Sequence, residues 1–254
     1  MEVPQEMKTR KDLSKIGWTD FSGGDANFVL RGKSANDCAG SPGCDNCYAA
    51  AIRQRGKPEK TSDYTTWSEP KQRALSATEF VGPFKRPGDR PMVFVCDMGD
   101  MFHSFVPDTF IERAFEHFAD RPDVDWQILT KRPERMARLL AEGVPDNCWL
   151  GVTAENQAMA NLRIPILASI KAAVRFVSVE PCLEAVQFSM DGISWVICGG
   201  ESGPNRRPFR KPWAFSLQQQ CQFAGVPYFF KQGSSLRPGG DDLLMGEQFK
   251  EWPK

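Results

Sequence analysis

Six short apolar runs divide most of the chain, and each is followed at once by a cluster of polar residues. The runs occupy residues 92–96, 126–129, 148–152, 174–179, 195–198 and 227–230. They are continuously hydrophobic rather than alternating, which is typical of strands buried on both faces of a parallel sheet. The pattern therefore predicts six buried parallel strands.

Segments with a helical spacing of apolar residues lie between most of these strands. They occupy residues 110–118, 133–140, 162–170 and 213–223. Alternation of strand and helix predicts βα units and the α/β class. A partial (β/α) barrel of about six parallel strands fits best, because the runs are too few for a closed eight-stranded barrel. A doubly wound open sheet is the alternative.

No linker divides the chain, so residues 1–254 are predicted to form one domain. A strand is also predicted at residues 27–30, before the first of the six runs. Residues 56–91 are rich in Pro, Lys, Arg, Thr and Ser, and this segment is too long for a typical βα loop, which predicts an insertion or a lid. Residues 234–254 are predicted to form a C-terminal cap on the barrel.

The polar clusters all follow the carboxyl ends of the predicted strands. In a parallel sheet these ends gather on one face, where α/β proteins bind their ligands. Six clusters from six segments are hard to explain as solvated loops alone. The sequence therefore predicts an active face at the carboxyl ends of the strands.

Composition and charge narrow the class of protein. With 41% hydrophobic and 25% charged residues, the 254-residue chain has the composition of a globular protein. No apolar run approaches the ~20 residues that cross a bilayer, and the first residues lack an apolar signal, so a cytoplasmic protein without a membrane partner is expected. The 32 basic residues equal the 32 acidic ones, which argues against bulk attraction to nucleic acid but leaves a local basic patch open.

Three of the eight cysteines lie within ten residues, at Cys38, Cys44 and Cys47, with the spacing C-x5-C-x2-C. Thiolates at such spacing select zinc or an iron–sulfur cluster. Structural zinc needs a fourth ligand, for which His103 and Cys148 are candidates. An iron–sulfur cluster also takes four cysteines as a rule, so three would leave one iron open. Spacing alone does not separate the two metals.

The loop ends in Cys-x-x-Cys-Tyr-Ala and follows the first predicted strand of a βα protein. In this it resembles the radical S-adenosylmethionine superfamily, although the first gap is wider than the usual C-x3-C-x2-C. The wider gap resembles the spore photoproduct lyase branch and a phage-encoded family allied to it. Further stretches similar to that phage family lie at residues 16–20, 41–44, 98–103, 129–133, 175–181, 199–203 and 230–232.

The resemblance implies a radical S-adenosylmethionine type of barrel with a 4Fe–4S cluster on Cys38, Cys44 and Cys47. The open iron would bind the amino and carboxylate groups of S-adenosylmethionine, and one electron, from a donor such as flavodoxin or ferredoxin, would release a 5′-deoxyadenosyl radical. The other residues that the resemblance places at the cofactor are Asp97, Gly99 and Asp100 for its amino group, Thr153 and Glu155 for its ribose, and Tyr48 for its adenine. Lys131 and Arg132 would pair with the cofactor carboxylate or with a substrate phosphate. Tyr48 packing on the first helix and a helix-capping role for the Asp97–Asp100 loop are the structural alternatives.

The substrate is predicted from the same comparison. The phage family implies a modified nucleobase, with an isomerase rearranging an amino-acid adduct of thymidine in phage DNA, whereas the photoproduct branch implies a lyase for thymine dimers. Glu180 and Glu201 are candidate catalytic contacts to the substrate. Arg206, Arg207 and Arg210 form a basic run beside them that would hold DNA or nucleotide phosphates. A non-catalytic, zinc-dependent nucleic-acid-binding module is the alternative from another class.

Overall fold

In the computed structural model of the protein, which describes residues 7–9, 13–33, 40–55, 63–88 and 90–254, strands and helices alternate from residue 92 onward except between residues 179 and 195, where one strand follows another without a helix. The strands are β1 (Met7–Lys8), β2 (Val29–Leu30), β3 (Thr66–Trp67), β4 (Glu79–Phe80), β5 (Met92–Val95), β6 (Asp125–Thr130), β7 (Cys148–Thr153), β8 (Val174–Val179), β9 (Trp195–Gly199) and β10 (Tyr228–Gln232). The helices are α1 (Tyr48–Arg55), α2 (Glu69–Ala77), α3 (Asp108–Ala119), α4 (Pro133–Leu139), α5 (Gln157–Ser169) and α6 (Lys211–Ala224).

Strands β5 to β10 form one sheet in which every pairing is parallel and the neighbours follow chain order. The sheet curls into a half-barrel. The predicted α/β partial barrel of six parallel strands is therefore confirmed. The doubly wound alternative is wrong, because that fold requires the strand order to reverse at a switch point.

Side chains from alternate positions of each strand enter two separate cores. On β5, Val93 and Val95 join the core that also contains the buried residues of the helices, whereas Met92 and Phe94 join a second, aromatic-rich core. This second core fills the inner face of the half-barrel with the rings of Trp18, Trp149, Phe176, Trp195 and Phe229. Both faces of the sheet are thus buried, which explains why the strands read as continuous apolar runs.

The strand predicted at residues 27–30 does not join the main sheet. Only Val29 and Leu30 are extended, and they pair antiparallel with β3. The parallel neighbour of β5 is instead a single bridge from Phe21 to Val93. The backbone between these points bends, as the carbonyl of Ala26 accepts a hydrogen bond from the amide of Cys96 at 2.7 Å. The cysteine loop therefore follows a segment that lies outside the main sheet, whereas the sequence predicted that it follows the first strand.

The described part of the predicted insertion packs on the barrel. Helix α2 contributes Leu75 to the core, and Phe80 packs on Phe21 with 4.9 Å between ring centroids. A role as a lid stays a prediction, since residues 56–62 and 89 lie outside the described ranges. The tail at residues 234–254 contacts β10, where Trp252 packs on Phe229 with 5.3 Å between ring centroids. Among the residues that the model describes, no helix has the length and apolarity to cross a bilayer.

Candidate functional site

The carboxyl ends of the six parallel strands share one edge of the half-barrel. The register pairs Thr130 with Val152, Thr153 with Ser178, and Val179 with Cys198, so the residues after these strands follow one another around that edge. We call this the strand-end face. It carries the predicted site residues Asp97, Gly99, Asp100, Lys131, Thr153, Glu155, Glu180 and Glu201.

The cysteine loop, residues 40–47, lies against this face. Cys44 closes a short 3-10 turn, Pro42–Cys44, in which its amide donates to the carbonyl of Ser41 at 2.8 Å. Cys47 directly precedes α1, and both cysteines are partly exposed and form no disulfide with another described cysteine. Cys38 lies outside the described residues. Within the described ranges no group of three or more metal-ligating side chains occurs, so the three-cysteine ligand set stays a prediction.

The five other cysteines that the structure describes are buried. Cys148, a candidate fourth zinc ligand, is the first residue of β7, whereas the cysteine loop faces the end of that strand. Five residues of extended strand separate the two places by ~16 Å. The His103 ring packs on Phe105 at 5.2 Å, and its Nδ1 accepts the amide of Phe105 at 3.2 Å. Cys148 therefore lies far from the described part of the loop, and the described contacts of the His103 ring are with Phe105.

Contacts from the segments that follow two strands, β7 and β9, hold the loop in place. The amide of Gly43 donates to Oε1 of Glu155 at 3.0 Å. Nη2 of Arg207 donates to the carbonyl of Pro42 at 2.9 Å, and the Asn46 amide donates to Oε2 of Glu201 at 3.2 Å. The structure therefore brings Cys44, Cys47, Glu155 and Glu201 together, although they are far apart in sequence.

Asp97 has a buried carboxylate oxygen, Oδ1, that has no hydrogen-bond partner among the residues that the structure describes. Burial raises the pKa of this carboxyl, and the Asn27 and Ser22 side chains oppose the rise by hydrogen bonding. A buried acceptor without a donor costs free energy unless a ligand supplies one. Asp97 is thus the carboxylate on the strand-end face that is suited to receive an ammonium group.

Tyr48 lies beside Asp97, and its hydroxyl donates to the Asp97 carbonyl while half of the residue stays exposed. The pKa of the hydroxyl is raised well above its usual value, first by burial of that end and then by Asp97, Cys47 and Glu180. The ring therefore bridges the cysteine loop and the ends of β5 and β8. A role in stacking on adenine stays a prediction.

Asp100 is fully engaged by the protein. Its Oδ1 accepts from the Phe102 amide at 3.0 Å and from the Thr130 hydroxyl at 2.7 Å. Its Oδ2 accepts from Nη1 of Arg132 at 2.7 Å and from the Lys131 amide at 3.3 Å. These contacts tie the loop after β5 to the end of β6, which favours a structural role for Asp100 and leaves Asp97 as the candidate for the cofactor amine.

Gly99 is required by a close approach of two backbone segments. A Cβ at this position would overlap the Val29 carbonyl. The two segments are also joined by a hydrogen bond, in which the Arg31 amide donates to the Met98 carbonyl at 3.0 Å. The close approach predicted for Gly99 therefore exists, but the described partner is the protein's own chain. It holds the segment before the cysteine loop against the end of β5.

Glu155 and Arg163 form a buried ion pair at the end of β7. Nη1 of Arg163 lies 3.0 Å from Oε2 of Glu155 and also donates to the Thr153 carbonyl at 2.7 Å. Lys131 approaches Oε1 of Glu155 at 4.0 Å. Burial lowers the pKa of Lys131, while Glu155 and Cys44 oppose that change. Glu155 thus uses both oxygens within the protein rather than presenting them to a ribose.

Glu180 and Glu201 each pair with a basic side chain. Lys231, at the end of β10, forms an ion pair with Glu180. Arg207 contacts Glu201 through its side chain and donates its amide to Oε2 at 2.7 Å. Burial opposes ionisation of Glu201, but the hydrogen bonds from Arg207 and Asn46 lower its pKa overall. Glu201 is therefore held in the ionised form on the strand-end face.

The basic run separates into three environments. Arg207 bonds the cysteine loop and Glu201, whereas Arg206 donates to the Gly203 carbonyl at 3.1 Å. Arg210 is exposed and lies over the Trp213 ring, 5.6 Å from its centroid. Of the three residues predicted to bind phosphates, Arg207 has the contacts of a structural residue, and Arg206 and Arg210 remain the candidates.

Three residues of the site were not predicted. Lys231 follows an apolar run, like the residues that were predicted, but its partner Glu180 is distant in sequence. Arg163 lies among the buried positions of α5, with Ala160, Ile164 and Leu167, and a charge on an apolar helix face signals a buried partner. Asn46, between two cysteines, offered no signal of its own.

Comparison with known proteins gives one match. Residues 31–243 match the model of a family described as "Protein of unknown function (DUF5131)". No curated protein and no solved structure matches the chain. The matched segment contains the cysteine loop, the whole six-stranded sheet and every residue of the strand-end face. Because the match spans most of the 254 residues, the chain belongs to the DUF5131 family.

Proposed function

We propose that this protein is a radical S-adenosylmethionine enzyme that acts on a modified nucleobase. The observation that carries the proposal is the position of the cysteine loop, which lies against the carboxyl ends of a six-stranded parallel half-barrel. Ligands of α/β barrels bind at these ends. The thiols would therefore share one face with the carboxylates and basic residues of the barrel.

The described residues fit the proposed cofactors. Cys44 and Cys47, with Cys38, would supply three thiolates, the donor type that iron–sulfur clusters take. The unpartnered Oδ1 of Asp97 fits an ammonium group, such as the amino group of S-adenosylmethionine. When both are bound, a 4Fe–4S cluster and S-adenosylmethionine supply a 5′-deoxyadenosyl radical, for which an external donor such as flavodoxin or ferredoxin gives the electron.

The chain's own side chains would position these groups. Tyr48 borders the space between Cys47 and Asp97, and its ring offers a surface for adenine. Lys131, partly buried near Cys44, would meet a carboxylate. Thr153 and Glu155 remain candidate ribose contacts, although Glu155 is engaged elsewhere. The aromatic core below the strand-end face closes the other end of the half-barrel to water.

The substrate would lie over the ends of β8 and β9. The carboxylate oxygens of Glu180 and Glu201 are acceptors there, suited to the amine or hydroxyl of an amino-acid adduct on thymidine. This favours an isomerase of modified DNA, with a thymine-dimer lyase as the other outcome. Arg206 and Arg210 would meet phosphates at the rim.

Anaerobic reconstitution of the full chain with iron and sulfide tests the proposal. We expect a brown cluster chromophore, about four irons per chain, and reductant-dependent formation of 5′-deoxyadenosine from S-adenosylmethionine. Metal analysis of the protein as purified tests the alternative function, a zinc-dependent nucleic-acid-binding module. Tightly bound zinc, with no cluster after reconstitution, would reject the enzyme and favour the zinc-dependent nucleic-acid-binding module.

A phosphate-binding role for Arg206 and Arg210 predicts salt-dependent DNA binding. Each phosphate contact that is lost should flatten the slope of log affinity against log salt by about 0.7–0.9. We therefore expect the double variant Arg206→Gln/Arg210→Gln to lose about 1.5 from the slope measured on modified oligonucleotides. Arg175→Gln, at the opposite end of β8, is the control and should keep the wild-type slope. Equal slopes for all three proteins would make a free nucleotide or metabolite the better substrate class.

A further inference from the structure

One peptide group of the cysteine loop is held at both ends by side chains from the barrel. The carbonyl of Pro42 accepts a hydrogen bond from Nη2 of Arg207 at 2.9 Å. The amide of Gly43, which belongs to the same peptide group, donates to Oε1 of Glu155 at 3.0 Å. The peptide is therefore clamped between the loops that follow β7 and β9, directly before Cys44.

Each side of this clamp is itself fixed by an opposite charge. Glu155 is fully buried and receives Nη1 of Arg163, whose side chain is 3% exposed, at 3.0 Å. Arg207 pairs with Glu201 and reaches the Asp45 carboxylate at 3.3 Å. A buried carboxylate paired in this way keeps its orientation, since rotation would leave two charges without partners. Both ends of the peptide thus face rigid groups.

The close fit explains the glycine. A Cβ on Gly43 would lie 2.9 Å from Oε1 of Glu155 and 3.2 Å from Cδ of Pro181. Any larger residue would push the turn away from the strand ends. The backbone of Gly43 is not in the left-handed region, so the requirement comes from the neighbouring side chains and not from conformation.

We infer that Glu155 and Arg207 are positioning residues that place the Cys44 thiol by clamping the Pro42–Gly43 peptide. The clamp itself rests on the described contacts, and only the identity of what Cys44 binds rests on the proposed function. Glu155, which the resemblance placed at a ribose, and Arg207, which was predicted to hold a phosphate, would then both position the cysteine loop.

The test measures hydrogen exchange at the Gly43 and Cys44 amides in the metal-free full chain. A charge-assisted hydrogen bond opposes local opening of the backbone. Its loss should therefore speed hydrogen exchange at the Gly43 and Cys44 amides about tenfold or more. We expect this in Arg207→Gln and in Glu155→Gln. Asp125→Asn is the matched control, because Asp125 is a fully buried carboxylate paired with Arg86 and Arg90 at the other end of the sheet. It should leave exchange at Gly43 unchanged.

A second measurement connects the clamp with the metal. After reconstitution, Arg207→Gln should change the electron paramagnetic resonance spectrum of the reduced cluster, and Arg207→Lys, which keeps one donor, should restore part of it. Should Glu155→Gln not fold, Gly43→Ala takes its place, because it displaces the turn and keeps both ion pairs.

The possible outcomes separate the two proposals. Wild-type exchange rates at Gly43 in both Arg207→Gln and Gly43→Ala would overturn the clamp, whatever metal is bound. Faster exchange in a protein whose wild type forms no cluster would support the clamp and reject the proposed function.

Discussion

Replacing Cys44 or Cys47 with alanine is expected to remove nearly all cluster iron and all formation of 5′-deoxyadenosine. The loss should be complete because each thiolate would hold one iron, and the nearby carboxylates of Glu155 and Glu201 are already paired with arginines. Iron per chain and the visible absorbance of the reconstituted variants measure the effect. Cys38→Ala should behave in the same way.

The buried cysteines are the matched controls for this prediction. Cys221 lies on the buried side of α6 and Cys198 lies in β9. Burial raises the pKa of the Cys221 thiol to about 12, so it stays protonated and is a poor ligand. Alanine at either position should cost on the order of 1 kcal/mol of stability through the cavity left behind, with iron content unchanged. Full iron in Cys44→Ala, or its loss in Cys221→Ala, would place the metal elsewhere.

The loop contacts make the expected loss specific. Cys44 and Cys47 are partly exposed, and the clamp on the Pro42–Gly43 peptide does not use their sulfur atoms. Alanine at these positions should therefore leave the barrel's thermal unfolding close to that of the metal-free wild type. A chelator should likewise shift only the wild type, by removing the stabilisation that a bound metal provides.

The six strands could be predicted from sequence because each is buried on both faces. Such strands are continuous apolar runs, and the structure places all six within one or two residues of the predicted bounds. The pairing of the segment at 27–30 could not be predicted in this way. It is apolar, but it pairs antiparallel with Thr66 and Trp67, while Phe21 forms the bridge to Val93. Both arrangements depend on contacts between distant parts of the chain. A local pattern does not contain that information.

Helix boundaries show the same limit at smaller scale. The sequence predicted a helix from residue 162, whereas α5 begins at Gln157. Its first turn contains Gln157, two alanines and Met159, and its start is fixed by the Asn156 side chain, which accepts the Met159 amide at 2.9 Å. Apolar periodicity detects the part of a helix with large buried side chains, so a first turn without them is found only from its cap.

Within the site, the sequence identified the right face but not the partners. Asp97, Asp100, Glu155 and Glu201 all follow strand ends, and the sequence treated them alike as ligands for small molecules. The structure distinguishes them by what donates to each. Asp100 has four donors and Glu155 has Arg163 and Gly43, whereas one oxygen of Asp97 has no partner within the described ranges. Except for the Phe102 amide and Arg163, these donors come from residues distant in sequence, which only the tertiary fold brings together.

That difference makes Asp97→Asn the most informative single change on the face. Asparagine keeps the size of the side chain and removes its charge. If Oδ1 of Asp97 receives the amino group of S-adenosylmethionine, affinity should fall by about 1.5–3 kcal/mol, the range for a hydrogen bond to a charged group. Isothermal titration of the reconstituted protein measures this loss. Unchanged affinity would leave the loop after β5 without a role at the cofactor.

The stability of the same variant gives an independent check. Because burial raises the pKa of Asp97 above its usual 3.8, the ionised carboxylate costs stability, and that cost grows as the pH rises through the raised pKa. Asp97→Asn should therefore be at least as stable as the wild type at neutral pH without ligand. Asp100→Asn should instead be destabilised. Only the oxygen of the asparagine amide can accept hydrogen bonds, so its nitrogen would face donors that the second carboxylate oxygen of Asp100 had accepted. If Asp97 contacts the ligand and Asp100 supports the fold, Asp97→Asn should bind S-adenosylmethionine more weakly and keep its stability. Asp100→Asn should lose stability. Destabilisation of both variants to the same extent would show that Asp97, too, serves the fold.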